Sequence, residues 1–163
     1  MVKRTIICIS RQYGSGGREI GEAVAKKLGI PCYDKCLIQK AAQEAGLSEN
    51  AVAEYDEKGD CVIIGRCASA ILRSAGYHPL SVFIYADSAD RAKRIAARNG
   101  LDEKRALHKA QKVDRMRKHH FDFYADTLWG EPESYDLMLS SSVYGIDGAA
   151  SVIASAQEAM CHE

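Results

Sequence analysis

The stretch that most constrains this chain is residues 5 to 28, which open with T-I-I-C-I-S-R-Q-Y-G-S-G-G-R-E-I. A β-branched run from Thr5 to Ile9 reads as a buried strand, and Gly14-Ser15-Gly16-Gly17 then gives the backbone freedom that side chains would deny it. Ile20, Val24 and Leu28 recur at helical spacing beyond the glycines, with Ala23 and Ala25 filling in. The order is strand, glycine loop, helix. Such a loop turns successive backbone N–H groups inward at the positive end of the helix dipole, which makes a seat for phosphate. Many strand–helix turns carry glycines for steric reasons only, so the loop by itself leaves both readings open.

The general phosphate-loop signature is G-x-x-x-x-G-K-[ST], with the Lys on the terminal phosphates and the hydroxyl on Mg²⁺. Aligned without a gap on Gly16, this chain has Arg11 in place of the first Gly, Gly17 in place of the Lys and Arg18 in place of the hydroxyl. With one extra residue in the loop, Arg18 supplies the missing cation and Glu19 sits where the hydroxyl belongs. I-S-R-Q-Y-G-S-G-G-R-E-I-G, followed by K-L-G-I-P-C-Y-D-K, resembles the opening of the cytidylate kinase-like family, a branch of the P-loop nucleoside monophosphate kinases. That family carries G-S-G-G-R where its relatives have a Lys, so the departure is itself a family trait.

At 163 residues the chain is long enough for one well-buried domain, and 47% apolar with 27% charged residues belongs to a globular protein. Ile6 to Ile9 is too short for a signal-peptide core or a membrane span, which makes a cytoplasmic protein with no membrane partner the expectation. The six cysteines, at 8, 32, 36, 61, 67 and 161, form no C-x-x-C pair. A reducing cytosol would keep them free, and their spacing with His119, His120 and His162 does not support a zinc site. Net charge is zero, yet residues 91 to 120 hold eleven of the 22 Lys and Arg, and residues 121 to 163 hold none. That asymmetry calls for an anionic partner or a well-solvated face.

Gly29-Ile30-Pro31 breaks the first helix, and Cys32-Tyr33 reads as a short edge strand ending at Asp34. Helices are expected over 35–45 and from Ser48 toward Tyr55. Cys61 to Gly65 is the next buried strand, with Arg66 at its carboxyl end, where ligands bind in open parallel sheets. Arg66 is therefore favoured as an anion ligand over a simple salt bridge, and G-R-C-A resembles the family's G-R-D element, whose Arg contacts bound nucleotide. A small helix from Ala68, a strand over Leu80 to Tyr85 and a helix capped by Ser88 follow.

Arg91, Arg94 and Arg98 share one face of that helix, which is usually just solvated. By the family resemblance this R-x-x-R begins the arm leading into a lid, and Arg91 and Arg94 meet the donor nucleotide. Asp102 caps a long helix reaching about His120, with Leu107, Ala110, Val113 and Met116 as its apolar face. K-V-D-R-M-R within it resembles the arginine-rich lid helix that closes over both phosphates, bringing Lys112, Arg115 and Arg117 down on closure. Asp114 either orients these cations or holds the base or metal. The lid spans about residues 99–130 and ends in the aromatic stretch from Phe121 to Trp129. Tyr135 to Leu139 reads as the last strand and Ser140 to Ser142 as its polar end. Ile146, Ala149, Ile153 and Ala156 form the stripe of a closing helix.

The family pattern fits badly at one place. Relatives carry several tens of additional residues near 55–60, including the segment that grips the acceptor, whereas here Tyr55 to Lys58 runs almost directly into Gly59 and Asp60. Either the segment is lost, or the sequence as read omits a mobile acceptor arm. The second is preferred, because the rest of the phosphate apparatus is present.

The expected fold is a single three-layer α/β P-loop domain over 1–163, a parallel sheet of about five strands flanked by helices, with an Arg-rich helical lid. The expected reaction moves the γ-phosphoryl group of ATP, with Mg²⁺, to a nucleoside monophosphate, CMP or dCMP first. Gly14, Ser15, Gly16, Gly17, Arg18 and Glu19 hold the donor phosphates with Arg91. Arg66 and Asp114 face the acceptor, and Arg18, Arg94, Lys112, Arg115 and Arg117 act on the transferred group. The rivals are a catalytically weak nucleotide-binding sensor, a kinase of another small acceptor, and a nucleic-acid binder, which net neutrality and the lack of interleaved aromatics disfavour.

Overall fold

The computed structural model describes residues 4–34, 59–65 and 67–160. The helices expected over 35–55, Arg66, the join at 55–58 and the cysteines at 36 and 161 lie outside the described residues. The described chain forms strand β1 (Ile6–Arg11), helix α1 (Gly17–Leu28), β2 (Cys32–Asp34), β3 (Cys61–Ile64), α2 (Ala68–Ser74), β4 (Leu80–Tyr85), α3 (Ser88–Asn99), α4 (Glu103–Tyr124), a 3₁₀ turn (Pro132–Ser134), β5 (Leu137–Ser140) and α5 (Ser141–Met160).

The five strands pair in parallel in the order β2-β3-β1-β4-β5. The β-branched run of β1 thus lies at the centre, as its burial along all six residues requires. Period-two alternation divides its side chains between two cores. Ile7 and Ile9 pack with Val62, Ile64, Val82 and Ile84 against Ile20 and Val24 of α1 and Ala149 and Ile153 of α5. Ile6 and Cys8 turn to the other face, where Ile63, Cys61 and Leu72 of α2 cover them. Phe83, Phe121 and Tyr135 continue that second layer toward the end of α4, so the architecture is the expected three-layer α/β fold.

Burial pushes the Cys8 thiol far above its ordinary range and that of Cys32 up to about 11, so both behave as small packing groups. Among the described residues no group of three His, Cys, Asp or Glu is placed to hold a metal ion. No described helix is long and apolar enough to cross a membrane.

Two local expectations change. Ser88 is the first residue of α3 rather than its cap, which is Asp87. The inward face of α4 is not the one read from Leu107, Val113 and Met116: Met116 is 54% exposed, and the buried positions are Ala106, Ala110, Arg117 and Phe121. The helix is rotated because Ala106 and Ala110 admit a close approach to Ala92 and Ile95 of α3, and because the next turns carry polar groups bonded to the glycine loop.

At the start of α4 the Asp102 carboxylate accepts from the Arg105 amide at 2.9 Å, as its sequence position implies. Replacing it with alanine is expected to cost about 0.5–2 kcal/mol of stability, read as a lower denaturant midpoint at unchanged slope.

Candidate active site

β1 leaves the centre of the sheet at the point where the chain turns first toward β2 and later toward β4. In open α/β sheets this is where ligands bind. The loop between Arg11 and Gly17 is tied down on every side. The Gln12 amide donates to the Ile84 carbonyl at 2.9 Å, and Gln12 Oε1 accepts from the Ala86 amide at 3.1 Å, anchoring the loop to β4. Ser15 closes the turn by donating from Oγ to the Gln12 carbonyl at 2.8 Å. Ser141, at the start of α5, donates from Oγ to the Ser15 carbonyl at 2.5 Å.

Tyr13 is gripped from both of its backbone groups. Asp114 Oδ1 accepts from the Tyr13 amide at 2.7 Å, Arg91 Nε donates to the Tyr13 carbonyl at 2.8 Å, and Arg91 Nη2 pairs with Asp114 Oδ2. The two side chains are only 8% and 14% exposed. The structure therefore places Arg91 and Asp114 behind the loop as a closed unit. They are fully engaged there with each other and with Tyr13, which departs from the expected contacts with donor and acceptor.

Gly14 and Gly16 have φ of +79° and +78°, values that side-chain-bearing residues rarely adopt, and Gly16 is the residue before the first turn of α1. The resulting backbone leaves the amides of Gly14, Gly16, Gly17, Arg18 and Glu19 with no acceptor among the described residues. No side chain caps this helix end. Converging N–H groups at the positive end of a 12-residue helix form an anion seat.

The expected cations divide sharply. Arg94 reaches the loop, its Nη1 donating to the Gly14 carbonyl at 3.3 Å and to Ser141 Oγ at 3.4 Å. Arg117 is buried beneath it, with Nη1 on the Arg11 carbonyl at 2.9 Å and the guanidinium 5.5 Å from the centre of the Tyr13 ring. Lys112 and Arg115 are exposed on α4 and make no hydrogen bond or ion pair among the described residues, so the structure does not bring them to the loop. Arg18 also turns away. Its side chain is 63% exposed and pairs with Glu22 at 3.3 Å and Asp34 at 3.7 Å. Glu19 follows it outward and pairs with Arg98 at 3.1 Å.

Gln12, Tyr13 and Ser141 were not singled out by the sequence reading. Ser141 had a visible signal, since a polar run at the carboxyl end of a strand lies on the ligand-binding edge of a parallel sheet. Asp34 Oδ1 is buried at the corresponding end of β2 with no hydrogen-bond partner among the described residues.

The model of the cytidylate kinase-like family matches residues 6–60 and 57–143, and the two stretches meet where the sequence reading places the missing acceptor segment. A cytidylate kinase of Thermococcus kodakarensis is 25% identical over 171 residues, which span 93% of this chain and 86% of that protein. Among solved structures, a protein of Eubacterium ventriosum described only as uncharacterized superposes with a TM-score of 0.85 at 33% identity, covering 95% of this chain and 99% of the other. Shikimate kinase from Bacteroides thetaiotaomicron shares the fold, with a TM-score of 0.60 at 15% identity over 94% of this chain and 98% of its own. The glycine loop with its free amides, the arginine laid over it and the extent of the family match together establish that the chain belongs to the cytidylate kinase-like family.

Proposed function

We propose that this protein transfers the γ-phosphoryl group of ATP to a nucleoside monophosphate, with CMP and dCMP as the first acceptors to test. One observation carries the reading: the unsatisfied amides of Gly14, Gly16, Gly17, Arg18 and Glu19 gather beyond the end of β1, with the Arg94 guanidinium held against the same loop. Phosphoryl transfer needs little covalent help from a protein. Positioning and compensation of charge on the phosphoryl oxygens supply most of the acceleration, and those are the resources present here.

The donor polyphosphate fits the loop because its oxygens would satisfy amides that the protein leaves unpaired. A protein-held Mg²⁺ fits less well. Arg18 stands at the hydroxyl position, and the described residues contain no carboxylate cluster for a metal, so no step is assigned to a metal ligand of the chain. Within this reading Arg94 stabilises the transferred group, while Arg91, Asp114 and Arg117 position the loop. Arg66, from its sequence position after the β3 run, and Asp34, whose buried Oδ1 has no hydrogen-bond partner among the described residues, are assigned to the acceptor. Lys112, Arg115 and Arg18 are left out of the catalytic set.

A coupled ADP-release assay over a panel of nucleoside monophosphates, with shikimate and gluconate as non-nucleotide acceptors, tests the assignment. Turnover that depends on a pyrimidine monophosphate is the expected result. ATP binding without turnover on any acceptor would establish the sensor reading instead, and turnover only on a non-nucleotide would move the enzyme to a different acceptor class.

A further inference from the structure

Two of the three departures in the ungapped alignment of the loop with the general signature look independent: Arg11 where the signature has Gly, and Gly17 where it has Lys. In three dimensions they are one departure. A Cβ added at Gly17 would lie 2.5 Å from Arg11 Cβ, 2.6 Å from its Cγ and 3.2 Å from its Cδ. Non-bonded carbons settle at about 3.5–4.0 Å, so positions 11 and 17 compete for a single volume and only one of them can carry a side chain. The general signature fills that volume from the helix with Lys and keeps glycine on the strand. This chain fills it from the strand with Arg and keeps glycine on the helix.

We propose that Arg11 is the phosphate-binding cation of this loop, entering from the end of β1 to take the place of the absent lysine. Its stem packs on Gly17, the first residue of α1, whose amide is one of those left unsatisfied. Its backbone is held by the register with Ile84 and by Arg117 Nη1 on its carbonyl, so the side chain starts from a fixed root. At 9% exposure it is sheltered from bulk water, where a charge-assisted contact is worth most. Arg18, the cation expected from sequence, turns outward to Glu22 and Asp34. A planar guanidinium also presents its donors in a fixed fork that matches two phosphate oxygens, where a lysine ammonium acts as a point charge.

The inference rests on the proposal that a nucleotide polyphosphate occupies the loop, and the test separates the two. ATP and AMP binding would be measured by titration calorimetry for the wild type, Arg11→Met, Gly17→Lys and the exchange variant carrying both Arg11→Gly and Gly17→Lys. Methionine keeps the stem that packs on Gly17 and removes the guanidinium. Arg11→Met is expected to bind ATP about ten- to a hundredfold more weakly with AMP binding little changed. Gly17→Lys alone is expected to melt at a lower temperature because both side chains then contend for one space. The exchange variant is expected to recover ATP affinity to within a few-fold of wild type.

A wild type that binds no ATP would overturn the kinase reading and this inference with it. A wild type that binds ATP, with Arg11→Met within twofold of it, would overturn the inference alone. So would an exchange variant that melts like the wild type yet binds ATP no better than Arg11→Met. If the exchange variant does not fold, the Arg11→Met comparison decides.

Discussion

Arg94→Ala is expected to lower kcat on the best acceptor by about 10²–10³-fold with a much smaller change in KM for ATP. The reason is where the guanidinium sits. It is half-buried, bonded to the Gly14 carbonyl and Ser141 Oγ, and its Cζ lies 3.6 Å from the position a Cβ on Gly16 would take. A cation held there meets charge that builds on the phosphoryl oxygens only as the bond to the leaving group loosens, so its loss falls mainly on the chemical step. Lys93, the exposed neighbour on the same helix, serves as control, and Lys93→Ala is expected to turn over within twofold of wild type. Arg94→Ala at wild-type kcat would remove Arg94 from the reacting centre and leave the phosphate to the loop amides and Arg11.

Asp114→Ala is expected to be the most destabilising single change at the site, about 3–5 kcal/mol. Two losses coincide. The buried Arg91 guanidinium is left without its anionic partner, and the Tyr13 amide is left without its acceptor. Asp114→Asn retains an acceptor for Tyr13 while removing the charge, so it is expected to fall between wild type and Asp114→Ala. Replacing both partners, Arg91→Met with Asp114→Leu, is expected to recover part of the loss, because no charge then remains buried unpaired. Urea midpoints at constant slope measure all three, and ATP affinity measured alongside should fall with stability because Tyr13 belongs to the loop. An Asp114→Ala protein within 1 kcal/mol of wild type would show that the pair contributes little to holding the loop.

Much of this could be read before any coordinates. The central strand, the glycine turn and the amphipathic helix after it follow from local rules, as do the buried strands at Cys61 and Leu80 and the cap at Asp102. Arg94 was reachable through the family's R-x-x-R pattern, and it does lie on the loop. Where the structure places a side chain differently from the expectation, the cause is shared. Arg18 is adjacent in sequence to the glycines it was expected to serve, yet a residue in the first turn of a helix points where that helix's azimuth sends it, here toward Glu22 and Asp34. Arg91 was assigned to the donor nucleotide by the family's R-x-x-R pattern, and Asp114 either to orienting the neighbouring cations or to the base or metal. Nothing local shows that they close on Tyr13, which is 101 residues from Asp114 in the chain.

By itself the amino-acid sequence determined the order of strands and helices, the place of the glycine loop and the family, because periodicity, β-branching and glycine placement act over a few residues at a time. Only the tertiary structure decided which arginines face the loop, which side of α4 turns inward, and that Arg11 and Gly17 share one volume. Those outcomes depend on the rotation of each helix about its own axis and on close approach between distant segments. Such quantities are set by packing the whole core at once, and no window of sequence contains them.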